Sequence, residues 1–141
     1  MKPYISMITL GVTDLHRSVR FYQEGLGLHT EGIMGEEFAQ GTVAFFDLQQ
    51  GLKLALWPRQ SLAADAGLPL SASTTAMSLA HNVLTETDVD AIMQQAAIAG
   101  ATIVKPPQKT FWGGYAGYFQ DPDGHLWEIV WNPDLLPEQD Y

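Results

Sequence analysis

The chain has 141 residues, of which 46% are hydrophobic and 16% are charged, and its formal net charge is −9. This length matches one domain with a sizeable core, and its hydrophobic content excludes a disordered protein. Because the chain contains no cysteine, disulfide scaffolds, thiolate metal sites and thiol nucleophiles are excluded. An acidic surface repels phosphate backbones, and no apolar run reaches the roughly 18 residues that span a bilayer. We therefore expect a cytoplasmic protein that binds neither nucleic acid nor membranes.

The first half of the chain predicts one strand, one helix and further strands. Residues 5–12 form an apolar segment typical of a strand, and residues 14–24 have apolar side chains at helical spacing. Glycines directly after residue 24 are expected to end this helix. Residues 41–46 and 51–57 are predicted as strands that meet at a turn over residues 49–51.

The second half predicts the same elements in the same order. Residues 77–83 predict a strand, and residues 87–99 predict a helix. The strands 114–119 and 124–130 follow, and they meet at a turn over residues 122–124.

The two halves also correspond position by position. In the first strand Val12 matches Val83, and after the helix Gly27 matches Gly100. At the later turn Gly51 matches Gly124. The sequence therefore contains an internal repeat of the order βαβββ.

The repeat defines the predicted organisation of the chain. We expect a single domain over residues 1–141 of the α+β class, built from two βαβββ modules in tandem. The first module covers residues 4–60, and the second covers residues 77–133. Residues 61–76 are interpreted as a linker, because Ala, Ser, Thr and Gly dominate there, and residues 134–141 form a C-terminal tail. Two sheets that face each other would enclose a central cleft, which is where small ligands bind.

Several motifs resemble those of a known family. They are Leu10–Leu15, Ser18–Tyr22, Gly25–Gly27, Val89–Ala91, Ala99–Ala101, Trp112–Tyr115 and Asp121–Glu128. Together they resemble the vicinal oxygen chelate superfamily, which includes glyoxalase I, bleomycin-resistance proteins, fosfomycin-resistance enzymes and extradiol dioxygenases. The resemblance implies the fold that the repeat predicts. It does not select one function, because one scaffold hosts several chemistries.

Enzymes of that superfamily hold a divalent metal with side chains from the first and fourth strand of each module. The resemblance places these four positions at Met7, Ala55, Ser78 and Glu128. Only the carboxylate of Glu128 is a strong ligand for zinc, nickel or iron(II), and a catalytic metal needs about three protein ligands. We therefore predict no metal and no other cofactor, with a divalent metal as the alternative if the ligands lie elsewhere.

Two histidines are alternative candidates for metal ligands. Moving the second module by three residues would put His81 at the first-strand position, but it would break the match between Val12 and Val83. In the unshifted register His81 points towards the helix layer. His125 lies three residues before Glu128, and residues three apart on a strand face opposite sides.

Alternation along the strands assigns the residues that line the cleft. The predicted ligand-binding walls are formed by Met7, Thr9, Lys53, Trp57, Ser78 and Asn82. Trp112 and Tyr115, at a glycine-rich strand entrance, are expected to form a lip over the ligand. Glu128 is the predicted catalytic residue, as a general base. In the alternative interpretation, Glu128 pairs with Lys53 or accepts a hydrogen bond from Ser78.

These residues favour a small-molecule-binding protein of the bleomycin-resistance kind that lacks a complete metal site. The alternatives are a metal-independent lyase or isomerase that uses Glu128 as base, and a metal-dependent enzyme of the glyoxalase type whose ligands lie elsewhere. We also expect a homodimer, because an edge strand in each module needs a cover and proteins of this superfamily commonly pair.

Overall fold

A computed structural model describes residue 3, residues 7–66, residues 69–70 and residues 77–137. The chain divides into two compact units, Met1–Ala72 and Ser73–Tyr141. Each unit holds one of the two predicted modules. The part of the linker at residues 67–68 and 71–76, and the tail at residues 138–141, lie outside the described residues.

The first module contains one four-stranded sheet. Its elements are β1 (Met7–Val12), α1 (Leu15–Arg20) with a π-helical turn (Phe21–Gly25), β2 (Thr30–Met34), β3 (Val43–Asp47), a 3₁₀ turn (Gln49–Gly51), β4 (Lys53–Pro58) and α2 (Arg59–Ala66). The strand order is β1-β4-β3-β2. Strand β1 runs parallel to β4, and the other pairs are antiparallel.

The second module has the same topology. Its elements are β5 (Ser78–Val83), α3 (Glu86–Ala99), β6 (Thr102–Lys109), β7 (Tyr115–Gln120) and β8 (Leu126–Trp131). The strand order is β5-β8-β7-β6, with β5 parallel to β8. The predicted α+β fold with two βαβββ modules is confirmed.

Both module helices begin at a side-chain cap. Asp14 accepts a hydrogen bond from the backbone N–H of Arg17 at 3.0 Å, and Thr85 accepts one from Asp88 at 3.1 Å. Such caps satisfy backbone donors that have no partner inside the helix. Helix α3 ends at Gly100, whose φ of +107° is a conformation that favours glycine.

Strand register confirms the correspondence between the two halves. Thr9 pairs with Ala55 between β1 and β4, and Ala80 pairs with Glu128 between β5 and β8. Thr9 and Ala80 are equivalent positions in the first strand of each module, as are Ala55 and Glu128 in the fourth strand. Because a slip of one residue would turn every side chain to the other face, this register fixes which residues can share a surface.

Each module packs its helix against one face of its sheet. In the first module the ring centroids of Tyr22 and Phe46 lie 5.9 Å apart, and both side chains are fully buried. In the second module Phe119 and Trp127 stack at 6.3 Å, on the same face as Gly117, where a Cβ atom would lie 3.0 Å from Met93 Cε of α3. Trp127 therefore points towards the helix layer, as predicted. We call the opposite surface of each sheet the helix-distal face.

Helix α2, over residues 59–66, extends into the first part of the predicted linker. This segment contains three alanines, which favour helix formation. A Cβ atom at Gly11 would lie 3.3 Å from Arg59 Cγ and 3.5 Å from Leu62 Cδ2. Since Gly11 alternates with Thr9 on the helix-distal face, α2 covers one end of that face. No helix among the described residues is long and apolar enough to cross a membrane.

Candidate functional site

The helix-distal face of the second module carries the predicted catalytic residue. The residues of β5, β7 and β8 on this face are Ser78, Ala80, Asn82, Ala116, Tyr118, Gln120, Leu126, Glu128 and Val130. Among these described positions, Glu128 is the one ionisable acid or base apart from the phenol of Tyr118. Its side chain is partly buried.

Glu128 belongs to a row of register partners that crosses the whole sheet. Ala80 pairs with Glu128, Glu128 pairs with Tyr118, and Tyr118 pairs with Lys105 on the edge strand β6. Directly paired residues of adjacent strands project from the same face, with Cβ atoms about 5 Å apart. The carboxylate therefore stands between a methyl group and a phenol.

Tyr118 stands directly opposite Glu128 in the β7–β8 register, and its phenol donates a hydrogen bond to the carboxylate. This hydrogen bond, with burial as a smaller cause, raises the pKa of the Tyr118 phenol above its ordinary value of 10.0. A carboxylate that accepts the proton of the phenol stabilises the protonated form. The partner of Glu128 is thus Tyr118, whereas Lys53 and Ser78 were the partners in the alternative interpretation.

Lys53 has a partner inside its own module. Its ammonium group forms an ion pair with the carboxylate of Asp47, its register neighbour on β3. Hydrogen bonding to Lys53 lowers the pKa of Asp47 below its ordinary value. Both side chains are about half exposed, so Lys53 lies at the outer end of the helix-distal face of the first module.

The remaining predicted residues of the first module also lie on that helix-distal face. Met7 is 42% exposed at the start of β1, next to Lys53, and Thr9 lies beside Ala55. Trp57 is held at the other end, where its indole N–H donates to the carbonyl of Gln40 at 2.8 Å. Among the described residues of β1, β3 and β4 on this surface, the charged ones are Lys53 and Asp47, which lie at its edge.

Ser78 and Asn82 occupy the two ends of β5. Ser78 is exposed and pairs in register with Leu126. The side-chain amide of Asn82 donates to the carbonyl of Leu135 at 3.3 Å, so the segment after β8 lies over this end of the face. Asn82 therefore anchors the chain that follows β8, which was not foreseen.

The two predicted lip residues are placed differently. Tyr115 donates a hydrogen bond to Asp90 of α3 at 2.6 Å, which puts it on the helix-covered face and corrects the expectation that it forms a lip. Trp112 folds back over the turn, because a Cβ atom at Gly114 would lie 2.1 Å from its ring. Its neighbour Phe111 is fully exposed at the tip of the β6–β7 hairpin.

The two histidines that are alternative metal-ligand candidates lie within the second module, His81 in the sheet and His125 at a turn. His81 pairs in register with the buried Ile129 and is partly buried on the side of α3, as predicted. Burial lowers the pKa of His81 below its ordinary value of 6.5. The backbone N–H of His125 donates to the side chain of Asp121 at 2.8 Å, within the β7–β8 turn.

The residues do not fit the metal site that the resemblance implies. In the first module the two ligand positions carry Met7 and Ala55, which are a thioether and a methyl group. In the second module they carry Ser78 and Glu128, of which only Glu128 is a strong ligand. No group of three or more His, Asp or Glu residues in the described part of the chain could hold a metal ion.

Sequence reasoning missed Tyr118. A usable signal was present, because the turn over residues 122–124 pairs residues at equal distances on either side of it, and this puts Tyr118 opposite Glu128. The phenol of Tyr118 is identified only when the pairing is followed from the turn along both strands of the hairpin. Alternation along the first and fourth strands alone leaves β7 out.

Comparisons with known proteins agree with this architecture. The model of the Glyoxalase/Bleomycin resistance protein/Dioxygenase superfamily matches residues 4–129. A glyoxalase-related enzyme from Fulvimarina pelagi is 37% identical with a TM-score of 0.85, and the alignment covers 98% of this chain and 94% of that one. A glyoxalase/bleomycin resistance protein/dioxygenase from Nocardioides is 26% identical with a TM-score of 0.74, over 99% and 90% of the two chains.

A shorter similarity is found to a mycobacterial protein. An uncharacterized protein of Mycobacterium bovis is 48% identical over 46 residues, which are 33% of this chain. The matched stretch is 30% of the length of that relative. Because the family model spans most of both modules, the assignment rests on the whole fold: the chain belongs to the Glyoxalase/Bleomycin resistance protein/Dioxygenase superfamily.

Proposed function

We propose that the protein binds a small organic molecule on the helix-distal face of its second module, with Glu128 as the polar anchor and without a complete metal site. The observation that carries this proposal is the carboxylate of Glu128, hydrogen-bonded by Tyr118, on a surface whose other described residues on β5, β7 and β8 are uncharged. Ligand sites typically combine an apolar lining with a few placed polar groups. Leu126, which lies two residues before Glu128 on β8 and is only partly buried, forms the apolar part.

The donor set supports binding without a metal. A Lewis acid needs several strong ligands, and the two modules together carry one at the positions that the superfamily uses. A carboxylate freed from metal ligation is available to a ligand directly. The similarity to a glyoxalase-related enzyme supports a glyoxalase-like small-molecule site in general, without naming a substrate.

A ligand screen by protein-observed NMR tests this proposal. We expect fragments that bind to shift backbone amide resonances of β7 and β8, and Glu128→Gln to weaken the hits that carry hydrogen-bond donors. Asp90→Asn is the matched control, because Asp90 also accepts a hydrogen bond from a tyrosine but lies on the helix side. Hits that cluster elsewhere, or that weaken equally in both variants, would contradict the proposal.

A second candidate is a metal-independent lyase or isomerase in which Glu128 acts as general base. The hydrogen bond from Tyr118 favours it, because a proton acceptor and a proton donor then lie side by side. Incubation of each bound compound in deuterium oxide distinguishes the two functions. Exchange of a carbon-bound proton that disappears in Glu128→Gln would indicate catalysis, and unchanged compounds would indicate binding alone.

We further propose that the protein is a cytoplasmic homodimer. Strands β1 and β2 are the edges of the first sheet, and β5 and β6 are the edges of the second. The edge strand β6 exposes Ile103 and Val104, and such edges are usually covered. Light scattering should give twice the chain mass of 15.5 kDa, whereas the mass of a single chain at micromolar concentration would count against the dimer.

A further inference from the structure

The second sheet carries two tyrosine–carboxylate hydrogen bonds, one on each face. Tyr115 bonds to Asp90 and thereby joins β7 to α3, so this pair connects a strand to its helix. Tyr118 bonds to Glu128 on the opposite face. Their strands are already joined by backbone hydrogen bonds, so the second pair is not needed to hold two elements together.

The carboxylate of Glu128 has more acceptor capacity than Tyr118 uses. An ionised carboxylate offers two oxygens with about four acceptor positions, and a phenol donates one hydrogen. On its other side in the row stands Ala80, which is exposed and has no polar side-chain group. The described register partner on the β5 side of Glu128 therefore provides no side-chain donor to the carboxylate.

The charge of Glu128 also lacks a neighbouring cation on this surface. Among the described helix-distal residues of β5, β7 and β8 there is no lysine, arginine or histidine. The nearest cationic residue in the row is Lys105, which is exposed at the sheet edge and separated from Glu128 by Tyr118. A partly buried carboxylate is most strongly stabilised by a cationic donor, because hydrogen bonds between charged groups are about twice as strong as neutral ones.

We propose that Tyr118 and Glu128 together recognise a protonated amine attached to an apolar group. In this arrangement Tyr118 is a positioning residue that fixes the carboxylate, the ligand ammonium donates to Glu128 from the side of Ala80, and the apolar group lies on Leu126, which is only partly buried. The inference rests on the proposed function and narrows it to one chemical class of ligand.

Matched pairs of probes test this inference on the full chain. We would titrate phenethylamine, tryptamine and 4-phenylbutylamine, each against the alcohol of the same skeleton, and follow the backbone amides of β7 and β8 by NMR. At least one amine is expected to bind about 10-fold more tightly than its alcohol, the difference that a charged hydrogen bond contributes. Binding is also expected to weaken with added salt.

Three variants separate the roles of the two residues. Glu128→Gln keeps the shape and is expected to lower the affinity for the amine about 10-fold and the affinity for the alcohol, a neutral donor, by a clearly smaller factor. Tyr118→Phe is expected to lower the affinity for the amine about 3-fold, because the carboxylate is no longer fixed. Tyr115→Phe is the control and should leave both affinities unchanged, since that phenol faces α3.

A spectroscopic readout shows whether Tyr118 acts through Glu128. With tyrosine labelled at the ζ carbon, the amine should shift the resonance of Tyr118 and leave that of Tyr115 in place. In Glu128→Gln the pKa of Tyr118 should fall towards 10.0, because the hydrogen bond to the carboxylate is its main cause. A purely structural tyrosine would not respond to the amine.

The possible failures are distinguishable. The inference is overturned if no amine binds more tightly than its alcohol, or if Tyr118→Phe binds the amine as well as the unchanged protein. If neutral fragments then still bind this face and depend on Glu128, the proposed function stands without the amine. If neither amines nor neutral fragments bind there, both proposals fail.

Discussion

The two modules build equivalent rows of side chains from different chemistry. In the first module the row is Thr9, Ala55 and Phe45, and in the second it is Ala80, Glu128 and Tyr118. The backbone pairing is the same, but Ala55 is 2% exposed whereas Glu128 is only partly buried. The comparison shows that the repeat fixes position alone, and that the exchanges of alanine for glutamate and of phenylalanine for tyrosine give the second module its carboxylate and phenol.

The ends of the two helix-distal faces differ in a related way. In the first module the helix α2 approaches Gly11, and in the second an irregular segment reaches back to Asn82 through the carbonyl of Leu135. Gly11 and Asn82 are equivalent positions, since each directly precedes the matched valine that ends its strand. Each face is thus bounded at the same end, by a helix in one module and by a loop in the other.

The largest effect on stability is expected when the first module is given the carboxylate that the second module carries. Ala55→Glu should destabilise the protein by about 4 kcal/mol, because it buries a carboxylate beside Phe45, which donates no hydrogen bond. Urea unfolding followed by tryptophan fluorescence measures the loss. Ala55→Gln, a control of the same size, should lose about 2 kcal/mol through overpacking, and equal losses would show that charge is not the cause.

Thr85 is the N-cap of α3 and is equivalent to Asp14, the N-cap of α1. Thr85→Ala should lower the free energy of unfolding by about 1 kcal/mol, the usual cost of an N-cap, since Thr85 accepts the backbone N–H of Asp88. Thr85→Ser keeps the hydroxyl and should restore most of that loss. Thermal unfolding checks the order of the three proteins, and a stable Thr85→Ala would contradict the capping role.

Removing the charge of Glu128 in the second module is expected to have the smallest effect on stability at neutral pH. Glu128→Gln should leave the free energy of unfolding unchanged or raise it by up to about 1 kcal/mol, because desolvation of the carboxylate is relieved and Tyr118 can donate to the amide oxygen. Chemical denaturation measures this. A loss of about 3 kcal/mol, typical of a broken buried pair, would make Glu128 a structural residue.

The two modules also differ on the helix side, where His81 corresponds to the buried Leu10 of the first module. Burial lowers the pKa of His81 in the folded state, so the unfolded state binds a proton more readily. Stability contributed by neutral His81 is present above pH 6.5 and falls as the pH drops below that value. In His81→Leu this part of the acid sensitivity should vanish, and an unchanged pH profile of thermal unfolding would argue against it.

Local patterns predicted the backbone of both modules well. The helix over residues 87–99 begins at a capping Thr85 and ends at Gly100 as its spacing indicates, because capping and glycine chemistry act within a few residues. Composition did not predict helix α2 over residues 59–66, which overlaps the predicted linker. The three alanines of this segment favour a helix, and the helix packs against Gly11.

Spacing and residue type predict the repeat and the strand faces, and the resemblance to the superfamily identifies Glu128 as the one strong ligand among its four metal positions. The hairpin registers place Tyr118 beside Glu128 and Asp47 beside Lys53, whereas only the folded chain brings Asp90 to Tyr115 and Leu135 to Asn82. The physical reason is distance along the chain. Alternation assigns a side chain to a face, but which polar group lies within hydrogen-bond reach depends on neighbouring strands, helices and loops that the folded chain brings together.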